Sequence, residues 1–103
     1  MYIVVLITVS NKKEAEHIAS KLVNKKLAAC VNIIPKIKSI FYWEGKIDKA
    51  EELLLIVKSK KSEFKGILKL VKSLHSYTVP EIIALPIISG EVKYLRWIDD
   101  CLR

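Results

Sequence analysis

Two histidines are the only imidazoles in the chain, and their settings differ. His75 falls where an amphipathic run ends and a loop begins, with Tyr77 and Glu81 close behind it. Neutral imidazole is the commonest protein ligand for metals near neutral pH. A helix C-terminus also stabilises a protonated ring without any ligand. Both readings fit His75, and a lone imidazole needs further donors, from carboxylates such as Glu44 or Glu81 or from other chains. His17 lies between Glu16 and Ile18 and reads as a partly exposed helix residue. Cys30, inside Ala28-Ala29-Cys30-Val31, reads as a small buried hydrophobe. The pair Glu51-Glu52 opens a strand and is expected to face solvent on alternate sides, which argues against a paired-carboxylate hydrolase. There is no G-x-G-x-x-G, no G-x-x-x-x-G-K and no C-x-x-C. No nucleophile, base and acid can be assembled, so no enzymatic activity is expected.

The elements that must position these residues are legible from periodicity. Tyr2 to Val9 is β-branched and apolar on both faces, which predicts a central strand. Asn11 and Glu14 have capping-box spacing. Ala15, Ile18, Ala19, Leu22 and Val23 follow as one helical face, with Lys25-Lys26 in the last turn. Ala28 to Ile34 reads as a second strand. Pro35 interrupts it and predicts a bulge or an edge. Ile37, Ser39, Phe41 and Trp43 then share one face of its continuation. Glu44-Gly45 is a hairpin turn, and a third strand runs from about Lys46 to Ser59. Ser62 is the expected N-cap of a second helix with Phe64, Ile67, Leu68, Val71 and Leu74 inward. His75 to Pro80 is a loop, and Glu81 to Ile88 a fourth strand with Pro86 marking an edge or a distortion. Glu91 to Leu102 closes the chain as a helix with Val92, Leu95, Ile98 and Leu102 inward. The order β-α-β-β-α-β plus a helix is an α+β class, a ferredoxin-like sandwich, in one domain over residues 1–103.

Composition narrows the function classes. The chain has 103 residues, 51% of them apolar and 28% charged, which excludes an intrinsically disordered chain. Two Cys are too few for a disulfide-stapled fold. Basic residues outnumber acidic ones 18 to 11, but Arg stands only at Arg96 and Arg103. A reader of phosphates or base edges uses the forked guanidinium, and these Lys form no stripe, so nucleic acid is not an expected partner. Abundant Lys with no Gln fits a thermostable protein. Met1 to Val9 lacks a basic leader and a cleavage site and is too short to span a bilayer. The expectation is a cytoplasmic protein with no membrane segment and with Cys30 and Cys101 reduced.

The hairpin is long for its domain. Two strands of about 14 residues reach on the order of 45 Å, whereas a domain of this size is roughly 35 Å across. The tip carries Ile40, Phe41, Tyr42 and Trp43. A ribbon with such a tip is unstable and adhesive when isolated. Residues 28–59 therefore predict pairing with further copies of the chain, the alternative being a hairpin that bends at Pro35 and folds back on its own sheet.

Leu27-Ala28-Ala29-Cys30-Val31-Asn32-Ile33-Ile34-Pro35 and Phe41-Tyr42-Trp43-Glu44-Gly45-Lys46-Ile47 resemble the CutA proteins. So do Leu74-His75-Ser76-Tyr77-Thr78-Val79-Pro80-Glu81-Ile82-Ile83-Ala84-Leu85-Pro86-Ile87 and Tyr94-Leu95-Arg96-Trp97-Ile98. The resemblance implies a ferredoxin-like subunit in a homotrimer, a non-enzymatic cytoplasmic protein, and a role in divalent-cation tolerance with copper binding. In the copper-binding members one ligand is a first-strand Cys, and two more come from a His-His-Pro-Tyr segment. The first position is Ile7 here, and the segment reads Leu74-His75-Ser76-Tyr77. His75 is then the one metal ligand carried over, for copper(II) or another divalent cation, since the soft thiol that suits copper(I) is missing. The same architecture resembles P-II signalling proteins, and the alternative is a sensor holding a small anion in clefts between subunits on Lys and backbone N–H groups.

Overall fold

The computed structural model describes all residues, 1–103. The elements are β1 (Tyr2–Val9), α1 (Lys12–Asn24), β2 (Cys30–Trp43), β3 (Lys46–Lys60), α2 (Phe64–Leu74), β4 (Ile82–Pro86) and α3 (Val92–Cys101). The four strands form one antiparallel sheet in the order β2-β3-β1-β4. This is the expected ferredoxin-like α+β arrangement.

Alternation along the two central strands builds the core. Ile3, Val5, Ile7 and Val9 pair with Ser59, Val57, Leu55 and Leu53 and share the face covered by α1 and α2. Ala15, Ile18 and Leu22 of α1 and Ile67 and Val71 of α2 close that core. Asn11 caps α1 by accepting from the Glu14 N–H at 2.8 Å, as its spacing predicts. Val23 lies outward, not on the buried face.

Three further local expectations fail. Helix α1 ends at Asn24, one residue before Lys25-Lys26. Lys26 instead takes φ 56°, the left-handed position usually given to glycine after a helix. Ser62 caps nothing, because Lys61–Glu63 is a 3₁₀ turn leading into α2. Val92 is exposed, since α3 lies on the opposite sheet face and buries fully only Ile98.

That helix is tied down by a polar contact. The Tyr2 hydroxyl donates to Asp99 at 2.6 Å, and Lys60 pairs with the same carboxylate at 2.8 Å. Tyr2 and Lys60 are direct neighbours across β1 and β3. The Lys60 ammonium, and then the Tyr2 hydroxyl, lower the Asp99 pKa from its ordinary 3.8. Stability from this group is therefore fully present above pH 3.8 and is lost as pH falls through the lowered folded value. Asp99→Asn is expected to flatten the acid limb of a pH–stability profile measured by denaturant unfolding. An unchanged acid limb would remove this contact as its cause.

The hairpin is as long as expected, 14 residues in β2 and 15 in β3. The chain extends 44 Å along its longest axis against 25 and 22 Å across. Glu44 (φ 53°) and Gly45 (φ 77°) form the two-residue turn, both left-handed as a type I′ turn requires. The register shifts between Ile34 and Ile37, and Lys36 there takes φ 58°. This is the bulge that Pro35 predicts. It places Ile34 and Ile37, three positions apart, on the same face.

Candidate functional site

Beyond the bulge, Ile37, Ser39, Phe41 and Trp43 pair with Glu52, Ala50, Asp48 and Lys46. Paired residues share a face, so an aromatic strip on β2 stands beside carboxylates on β3. The loop between α2 and β4 crosses this surface. Together they enclose a cleft of about 650 Å³. Phe41 and Trp43 form its aromatic side, Asp48, Glu52 and Glu81 its carboxylates, and Tyr77 its inner wall. No Lys or Arg lines it, although the chain carries a net charge of +7.

Hydrogen bonds hold the loop in place. His75 ends α2, its N–H bonded to Val71 O. Its Nε2 lies 2.7 Å from Thr8 O, which can only accept, so Nε2 carries the proton and donates. Nδ1 accepts the Tyr77 N–H at 3.0 Å. Both ring nitrogens are thus engaged, and the rings of His75 and Tyr77 lie 4.7 Å apart. Ser76 donates from its N–H and its hydroxyl to Glu14, at 2.7 and 3.1 Å. This double contact from α1 fixes the backbone at Ser76.

Tyr77 reaches down to Glu52, its hydroxyl donating at 2.7 Å. Burial, and then the bond to the carboxylate, push the Tyr77 hydroxyl up to about 12. It stays a donor across the physiological range. Glu52 is 6% exposed, which corrects the expectation that Glu51 and Glu52 both face water: only Glu51 does.

The structure sorts the remaining candidates. Ile7 is fully buried and faces α1 and α2, away from the cleft. Leu74 packs against the same core. Glu44 sits exposed in the hairpin turn, Glu81 joins the cleft, and His17 is exposed on α1. Cys30 and Cys101 are free thiols, each half-buried. Within one chain no three His, Cys, Asp or Glu side chains converge as a metal cage. Glu52 is the site residue that sequence reasoning missed. The signal was its place one residue before the apolar run Leu53–Val57, where a carboxylate borders a core.

Comparison with known proteins agrees with this geometry. The profile of the CutA1 family, described as CutA1 divalent ion tolerance protein, matches residues 3–101. The divalent-cation tolerance protein CutA of Archaeoglobus fulgidus is 50% identical over the full length of both chains. The chloroplastic CutA 1 protein of rice is 46% identical over 98% of this chain, which spans only 57% of the rice protein. The Arabidopsis chloroplastic relative is likewise matched over 56% of its length. Among solved structures, a CutA from A. fulgidus titled as periplasmic superposes with a TM-score of 0.97 at 48% identity, covering all of both chains. Rice CutA1 gives 0.96 at 46% identity over 99% of this chain and 94% of that one. With residues 3–101 matched by the profile and half of all positions shared with a full-length relative, this chain belongs to the CutA1 divalent ion tolerance family.

Proposed function

We propose that the protein acts in divalent-cation tolerance as a non-enzymatic, single-domain homotrimer. In this reading copper(II), or another divalent cation, binds weakly at the acidic cleft beside His75. The observation that carries this reading is the cleft lining, with Asp48, Glu52 and Glu81 and no basic side chain in a chain of net charge +7. Such a lining attracts cations and repels anions. It speaks for the cation reading over a P-II-like anion sensor, which needs Lys at the cleft. The names of the relatives support the general role. No helix is long and apolar enough to cross a membrane, and a cytoplasmic setting would keep both Cys as thiols.

Affinity in this reading is modest for a stated reason. The one acceptor nitrogen of His75 already holds the Tyr77 N–H, so a metal must displace that bond and draw further donors from carboxylates or neighbouring copies. Titrating metal-free protein with copper(II) against a competing chelator tests it. Wild type should bind about one ion per chain or per trimer, and His75→Ala should abolish this. His75→Gln, which keeps a donor toward Thr8, controls for loop collapse and should also lose binding. Equal binding by all three proteins would end His75's role as a ligand.

A further inference from the structure

The cleft contains a second kind of information, independent of His75 and of any metal. Glu52 is 6% exposed, and the Tyr77 hydroxyl is the one protein hydrogen bond to its carboxylate. Burying a carboxylate is costly unless an opposite charge faces it. The chain has 18 basic residues, yet its ion pairs are Lys60–Asp99 and Arg103–Asp100, and none reaches Glu52. The cationic partner that would offset this burial is missing from the chain itself. Farther along the same cleft stand the rings of Phe41 and Trp43, which pair across the hairpin with Asp48 and Lys46 and are both still partly open to solvent.

We propose that this cleft is a recognition site for an organic cation, an ammonium or guanidinium on an aliphatic stem. The charged head pairs with Glu52, and the stem, or a second cationic group on it, runs along the cleft to the rings of Phe41 and Trp43. An aromatic face attracts such a cation through its quadrupole, most strongly when water is excluded. A bare divalent ion uses the carboxylates but gains nothing from the indole, whereas an amine uses both. The volume of about 650 Å³ lies in the range of small-molecule sites and exceeds what a single ion needs. Asp48 and Glu81 at the lining add charge that draws the cation in. The head group comes either from a free small amine or from a Lys or Arg of a neighbouring copy, and both present the same chemistry.

The test uses the assembled protein carrying Trp97→Phe, so that Trp43 is the only fluorophore of its kind. Putrescine, arginine and tetramethylammonium are titrated in turn, with inorganic phosphate as the anion control. The expected result is saturable quenching of Trp43 by at least one amine and none by phosphate. Glu52→Gln should weaken that binding by about tenfold to a hundredfold, the usual loss for a charged hydrogen bond. Trp43→Leu, read by calorimetry, should weaken it several-fold, and His17→Gln, on the exposed side of α1, should leave it unchanged. If no amine binds but Glu52→Gln makes the assembly dissociate at a higher protein concentration, the cation belongs to the neighbouring copy and the chemistry stands. If no amine binds and Glu52→Gln alters neither binding nor assembly, the proposal is overturned. Loss of copper binding alone leaves amine recognition intact, so the two readings fail separately.

Discussion

Leu55→Ala is expected to cost about 2–5 kcal/mol of stability, the range for truncating a buried leucine. Leu55 is fully buried in a central strand, paired with Ile7 on one side and Ile33 on the other. It faces α1 and α2, so the cavity opens where both helices meet the sheet and neither can close it alone. For a domain of this size each kcal/mol moves the melting temperature by roughly 4–8 °C. Val23→Ala is the control. Val23 shares the sequence pattern of the inner helical face but lies exposed, so its loss should fall within about 0.5 kcal/mol of zero. Denaturant unfolding of the two variants at equal slopes checks the contrast. Equal losses would mean that the helix is rotated from the position described.

The second large effect concerns assembly. Tyr42 and Ile47 pair directly at the hairpin tip and are 77% and 65% exposed. A lone ribbon that displays them gains nothing from their apolar surface, whereas a neighbouring copy gains the area removed from water. The double variant Tyr42→Lys, Ile47→Lys is expected to change the light-scattering mass from three times 11.8 kDa to 11.8 kDa. The core lies at the far end of the sheet and should stay folded by circular dichroism. A double variant that keeps the wild-type trimer mass would place the contact elsewhere on the chain. A wild type already at the single-chain mass would sink the homotrimer proposal itself.

Most of the fold was legible because its signals are local. The β-branched run Tyr2–Val9, the Asn11–Glu14 cap, the Glu44-Gly45 turn and the i, i+3, i+4 spacing of Phe64 to Leu74 each specify a backbone conformation from a few neighbouring residues. The misses share a different character. The orientation of α3 failed at Val92 because an amphipathic stripe does not say which sheet face it will meet. Ser62 lost its capping role to a 3₁₀ turn whose backbone is set by the strand before it. At the site, His75 could be named but not its state: its two ring nitrogens are spoken for by Thr8, 67 positions away, and by Tyr77.

By itself the sequence determined the element order, the protruding hairpin and the family, because each rests on residue types and short spacings. Only the tertiary structure decided that Glu52 is buried, that Tyr77 holds it, and that Phe41 and Trp43 line the same cleft. The physical reason lies in strand parity. Side chains alternate every residue, so the facing of the β2 residues beyond Ile34, Phe41 and Trp43 among them, depends on one extra residue at the Lys36 bulge and on the register it sets. Glu52 keeps its place on β3 whatever that shift does; the loop from α2 crosses its face, and Tyr77 covers and bonds the carboxyl group.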